Sequence, residues 1–251
     1  MDGRLITLKR GDQCATCGTP IGSGRQAWWD HHKRTVTCVR CADDLRLTDS
    51  TAGASAEREF ERRRLKDDYR ADVDPDRQST RSWDRGARGE RALAELLDGL
   101  RPNGVVVLHD QRIPKSRTNI DHIAIAPSGI FVIDAKYYKG HVELRNKGGW
   151  LFRDHRLYVN GRDRTKLLEN CPRQIAAVAD AIRDVHLAIS PLPILCFLDS
   201  TWTPFARGFK LNGVRILPPG AVRNALLEPG PLTSEQVKAA GRAIRYHLRP
   251  A

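Results

Sequence analysis

The chain has 251 residues, 40% of them apolar, and 42 Lys and Arg against 30 Asp and Glu, a net charge of +12. That length supports one sizeable core and a smaller module. No apolar run approaches the roughly 20 residues that span a bilayer, and the stretch Met1 to Arg10 lacks an apolar signal core. A cytoplasmic protein without a membrane partner is expected. The basic excess is spread along the chain and favours a polyanion, nucleic acid first.

Residues 1–47 are punctuated by Cys14-Ala15-Thr16-Cys17-Gly18 and Cys38-Val39-Arg40-Cys41. In a reducing compartment, paired CxxC reads as metal rather than disulfide. Four thiolates about 2.3 Å from one Zn²⁺ make a closed structural site. The apolar mass here (Trp28, Trp29, Val36, Leu45) is too small to fold alone, so zinc supplies the missing stability. His31 and His32 are alternative ligands, but four cysteines suffice. The module resembles a zinc ribbon. Arg25, Trp28, Trp29, Lys33 and Arg34 offer stacking and phosphate contacts to nucleic acid; the tryptophans equally serve as a mini-core.

Residues 48–83 are polar and charge-mixed, with Glu before Arg at helical spacing between Ala56 and Leu65. They read as an exposed helix or linker. Residues 84–251 carry the pattern of a packed α/β domain. A helix is predicted over 87–100, with Leu93, Leu96, Leu97 and Leu100 on one stripe. A buried strand follows at 105–108. Two apolar runs, 119–126 and 130–136, flank Pro127-Ser128-Gly129. Residues 150–159 suggest an edge strand pair, turning at Asn160-Gly161. Asn170 is read as the cap of a helix entered through Pro172 and continuing to 182. Strands are predicted at 192–198 and 214–217. Thr233-Ser234-Glu235-Gln236 reads as a capping box for a last helix ending near Leu248.

Asp134 and Lys136 are two apart on a strand and share a face. With Ser128-Gly129 as a two-residue turn, Asp121 falls opposite Lys136 and diagonal to Asp134. Charges at the end of an apolar sheet are unfavourable unless paired or bound to metal. Two carboxylates can hold Mg²⁺ or Mn²⁺ with its waters, phosphate oxygens completing the octahedron. Lys136 then orients or deprotonates water and stabilises the transition-state anion. Glu90 lies three before Leu93 and seven before Leu97, on the core-facing stripe. Its partner is metal-bound water or Lys136, or else Arg88 or Arg117. Gln174 either bonds a metal ligand or the lysine, or stands exposed. His122 points to the other strand face. Cys171 and Cys196 read as buried structural thiols. No Walker-type phosphate loop is present, which argues against a P-loop nucleotide hydrolase.

Gly89-Glu90, Ile120-Asp121-His122-Ile123, Gly129 to Lys136, Tyr137-Tyr138-Lys139-Gly140, Trp150 and Asn170 to Gln174 resemble, over residues 84–190, the nuclease-related domain (NERD) of the PD-(D/E)xK nuclease superfamily. The resemblance implies an αβββαβ core, a central mixed sheet flanked by helices. It matches Glu90 to the helix acid, Asp121, Asp134 and Lys136 to the D…(D/E)xK triad, and Gln174 to the family's helix glutamine. Asp134 stands where the family more often has Glu, and Pro172 lies one place late in its Asn-Pro-x-x-Gln pattern. The preferred expectation is a Mg²⁺- or Mn²⁺-dependent DNA nuclease aided by its zinc module, with a homodimer left open. The alternative is a non-catalytic nucleic-acid- or protein-binding adaptor on the same scaffold.

Overall fold

Short alternating segments between Gly-rich turns build the N-terminal part. Strands β1 (Gly3–Thr7), β4 (Gln26–Asp30) and β5 (Thr35–Cys38) form an antiparallel sheet in the order β1-β4-β5. β2 (Asp12–Gln13) and β3 (Pro20–Ile21) form a separate ribbon. Among the described residues, the buried cluster of this part holds Leu8, Ile21, Ala27 and Val36 beside Cys14 and Cys41. The computed structural model describes residues 3–42, 89–116, 118–148 and 152–250. The predicted linker at 48–83, Leu45, Arg88, Arg117 and Trp150 lie outside these. Contacts divide the chain into two units, Met1–Ser50 and Thr51–Ala251.

In the larger unit, helix α1 spans 89–98. Strands β6 (Val106–Arg112), β7 (Asn119–Ala126), β8 (Gly129–Asn146), β9 (His155–Val159) and β10 (Arg162–Asp163) follow, then α2 (Cys171–Ala181). β11 (Leu192–Thr201), β12 (Phe209–Leu211), β13 (Val214–Leu217), α3 (Pro219–Leu227) and α4 (Ser234–His247) complete it. They make a mixed sheet, ordered β10-β9-β8-β11-β13-β12, with β6 and β7 added alongside the first part of β8. β8 pairs in parallel with β11, and β11 with β13; the other pairs are antiparallel.

The apolar stripe of α1 explains its position. Leu93, Leu97 and Leu100 are buried with Val107, Ala124, Phe131 and Ile133 on one sheet face, alongside Val222 and Leu226 of α3. Full burial of each such leucine stabilises by about 1.5–3 kcal/mol. A second core, on the other face, joins Leu195, Phe197 and Ile216 to Cys171, Leu157 and Val142. α4 buries Val237, Ala240 and Ile244 against β6, β7 and α2.

Two local readings change. Asn170 has helical backbone angles (φ −82°, ψ −20°), and its side chain makes no capping bond. A 3-10 turn at Thr165–Leu168 leads into α2 instead. The helix α3 was not expected, although Pro219 in its first turn and Val222, Ala225 and Leu226 at helical spacing mark it. The capping box of α4 is present: Gln236 N donates to Thr233 Oγ1 at 3.3 Å, and Thr233 N donates to Gln236 Oε1 at 2.9 Å.

Candidate functional site

Pro127 has no amide hydrogen and is preset for a turn. The hairpin therefore turns at Pro127-Ser128, and Ala126 pairs with Gly129. This is one residue earlier than the expected Ser128-Gly129 turn. Pairing runs back to His122 and Ile133. The next residues in that register are Asp121 and Asp134, so Asp121 faces Asp134 rather than Lys136. Here the strands part. On this edge, the next described partner of β8 is β9, whose pairing with β8 begins at Val142. The amide of Ala135, freed by the split, donates to Asp121 Oδ2 at 3.0 Å. Asp134 is buried, and Lys136 Nζ donates to its Oδ1. Across β11, Asp134 lies beside Leu195 and Lys136 beside Phe197, on the face of the second core.

Glu90 arrives from α1 because residue 89 is glycine. A Cβ at Gly89 would stand 2.9 Å from Tyr137 Cβ. Only a bare backbone lets this part of α1 lie against β8 in this way. Burial, then the charges of Asp110 and Asp134, push the Glu90 carboxyl up to about 7. Burial, then Asp134 and Glu90, holds Asp121 well above the usual carboxylate range. For Lys136, burial opposes the charge, but Asp134 and Asp121 outweigh it and the ammonium is held above its ordinary range.

Gln174 is buried in the first turn of α2, and its Nε2 donates to the Asn119 carbonyl at 3.3 Å. It ties α2 to the start of β7, two residues from Asp121, and is not an exposed helical glutamine. Asp110 was missed by the sequence reading. It is buried, has φ 49°, and interrupts β6–β7 pairing between His109–His122 and Gln111–Ile120. Asn119 Nδ2 donates to its Oδ1 at 3.0 Å. Asp110 follows the apolar run 105–108, within the polar stretch His109-Asp110-Gln111-Arg112, so no hydrophobic pattern marked it as buried. His122 does lie apart from the acids: its Nδ1 meets His109 Nδ1 at 2.8 Å, and His109 Nε2 meets Asp98 Oδ1 at 3.0 Å. Cys171 and Cys196 are buried, which pushes their thiols up to about 11 and 12.

In the N-terminal unit the sulfurs of Cys14, Cys17, Cys38 and Cys41 all lie within 4.8 Å of one another. Gly18 (φ 69°) closes the first turn, its amide donating to the Cys14 carbonyl at 2.8 Å. Cys38 N donates to Cys14 Sγ at 3.2 Å, and Cys41 N donates to Cys38 Sγ at 3.4 Å. Contacts with the Thr19 side chain and amide lower Cys17 to about 6. Four sulfurs so placed fit a tetrahedral ion such as zinc. Among the described residues the acids form no comparably compact set. His31 and His32 stay outside the cluster, exposed, with ring centroids 3.9 Å apart. Arg25, Lys33 and Arg34 are exposed. Trp29 packs on the small core, while Trp28 pairs with the exposed Leu5 across β1.

Residues 85–197 match the nuclease-related domain family. A 61-residue stretch is 36% identical to an uncharacterized protein of Bacillus anthracis, covering 23% of this chain and 29% of that protein's length. No solved structure matches the chain. The chain thus carries a nuclease-related domain in a mixed α/β unit, together with a cysteine cluster able to hold a metal such as zinc.

Proposed function

We propose that the larger unit is a Mg²⁺- or Mn²⁺-dependent nuclease that hydrolyses phosphodiester bonds of DNA. The observation that carries this reading is the split between β7 and β8, where Asp121 and Asp134 face one another beside Lys136. Two buried carboxylates facing one another are unfavourable neighbours as anions, and a divalent cation reverses that balance. Asp121 and Asp134 would hold the ion, with Glu90 the third acid at the same corner. When bound, it would acidify a water and neutralise charge growing on phosphorus.

Lys136 has a narrower role than the sequence allowed. An ammonium held charged by Asp134 and Asp121 is a poor base near neutral pH. It donates to the phosphoryl oxygens and steadies the anionic transition state. Gln174 fixes Asn119, and through it the start of β7, so that Asp121 keeps its place. In the N-terminal unit, zinc on the four cysteines supports a surface where Arg25, Trp28, Trp29, Lys33 and Arg34 engage nucleic acid. In this reading residues 1–47 bind, 84–251 cut, and 48–83 connect them.

The test is cleavage of linear, nicked, branched and single-stranded DNA by the purified protein with Mg²⁺, with Mn²⁺ or with neither. Wild type should cut in a metal-dependent manner, and Asp134→Ala should lose at least about 10²-fold. Equal behaviour of the two on every substrate removes the nuclease reading. Nucleic-acid binding that survives Asp121→Ala and Lys136→Ala, with no cutting by wild type, leaves the adaptor.

A further inference from the structure

Arg164 stands between β10 and α2, and among the described residues it pairs with no carboxylate. Its Cζ lies 5.2 Å from the centroid of the Tyr138 ring. Tyr138 follows Lys136 by two residues on β8, so Asp134, Lys136 and Tyr138 share one strand face. Two strand residues advance about 6.6 Å. The guanidinium therefore packs on a side chain of the strand face that carries Asp134 and Lys136.

The position is built rather than incidental. Arg164 N donates to the carbonyl of buried Leu157 at 2.8 Å, and Leu157 N donates to Thr165 Oγ1 at 3.1 Å. The Tyr138 ring, itself 6.0 Å from the Phe197 ring, backs the guanidinium. Charge is not balanced locally. Asp134 is engaged by Lys136, and Asp163 by Arg156 at 3.2 Å. Among the described residues Arg164 pairs with no carboxylate, and its Nε is buried without a hydrogen-bond partner. Such an orphan donor is unfavourable by itself. A guanidinium stacked on an aromatic ring, with a donor left over and no carboxylate paired to it among the described residues, is suited to an oxyanion with several acceptors. A phosphate, which accepts the guanidinium fork through two oxygens, fits it best.

We propose that Arg164 binds a backbone phosphate of the nucleic-acid strand, the one flanking the phosphate placed at Asp121, Asp134 and Lys136. The proposal rests on the nuclease reading for the identity of the strand. A flanking phosphate is present in ground state and transition state alike. Arg164 therefore contributes uniform binding, which shows in KM rather than kcat.

The experiment compares wild type, Arg164→Gln and Arg164→Lys in two measurements. The first is binding to a labelled single-stranded DNA without added divalent cation, across about 50–200 mM salt. The second is steady-state cutting of the same strand with Mn²⁺. Arg164→Gln should weaken binding roughly ten- to hundredfold and reduce the slope of log K against log salt by about 0.7–0.9. Its KM should rise with kcat nearly unchanged. Arg164→Lys should restore the slope and only part of the affinity, because it keeps the charge and loses the fork. A purely packing role would leave the salt slope untouched in both variants. Equal slopes and equal KM for wild type and Arg164→Gln overturn the assignment while leaving the nuclease reading standing. A wild type that binds but never cuts overturns the nuclease reading, and the slope alone then decides Arg164. A wild type that binds no strand at all overturns the assignment.

Discussion

At the scale of single residues, burial and like charge act on Glu90 and Asp121. Glu90 gives the clearest consequence. An ordinary glutamate titrates at about 4.3, whereas burial with Asp110 and Asp134 nearby moves Glu90 to about 7. The folded protein holds this proton more tightly than the unfolded chain. The resulting stability is complete below about pH 4.5 and is lost as pH rises towards 7. In buffer without divalent cations, wild type should lose on the order of 2–3 kcal/mol across that window relative to Glu90→Gln. Denaturant melts at a series of pH values would show it, and parallel curves for the two proteins would contradict the account. Much of this residue-level picture was legible beforehand. Spacing alone placed Asp134 and Lys136 on one face, and the leucine stripe turned Glu90 inward. Asp110 was not legible, because its place depends on a left-handed backbone angle that breaks the strand pairing.

At the scale of elements, the site exists because two strands separate and one helix approaches closely. The hairpin expectation missed by one residue because a proline cannot act as a paired strand residue on its donor side. That single step changes which group faces Asp121. The approach of α1 depends on Gly89. Gly89→Ala places a methyl group 2.9 Å from Tyr137 Cβ, which belongs to a paired strand and cannot swing away. The substitution should destabilise by about 1–3 kcal/mol despite alanine's better helix propensity. It should also shift Glu90, so cutting should fall more than stability explains. A melting temperature equal to wild type would refute the close approach. At the far end of the unit, Thr233→Ala removes one arm of the capping box and should lower stability by about 1 kcal/mol, with no effect on cutting. The α4 cap was readable from four letters of sequence. The α3 helix was overlooked because a pair of prolines reads first as a breaker and only second as a helix start.

At the scale of the whole molecule, a basic chain carries a compact sulfur cluster and, in the proposed reading, a separate oxygen centre. Few apolar side chains are buried among the described residues of the N-terminal unit, so a metal cross-link is expected to hold its sheet. One zinc per chain is expected by elemental analysis. Chelation should abolish hydrogen-exchange protection of the amides in β1, β4 and β5. Retained protection after complete zinc loss would contradict a structural role. No helix among the described residues is long and apolar enough to cross a membrane, and the net charge of +12 favours polyanions.

The oxygen centre is the central claim, and Mn²⁺ binding measures it most directly. Titration of the zinc-loaded protein, followed by electron paramagnetic resonance, should reveal Mn²⁺ held by wild type and lost in both Asp121→Ala and Asp134→Ala, with zinc content unchanged. Mn²⁺ binding that is the same in wild type and both variants, or absent from all three even with DNA present, would contradict a divalent-cation site between β7 and β8.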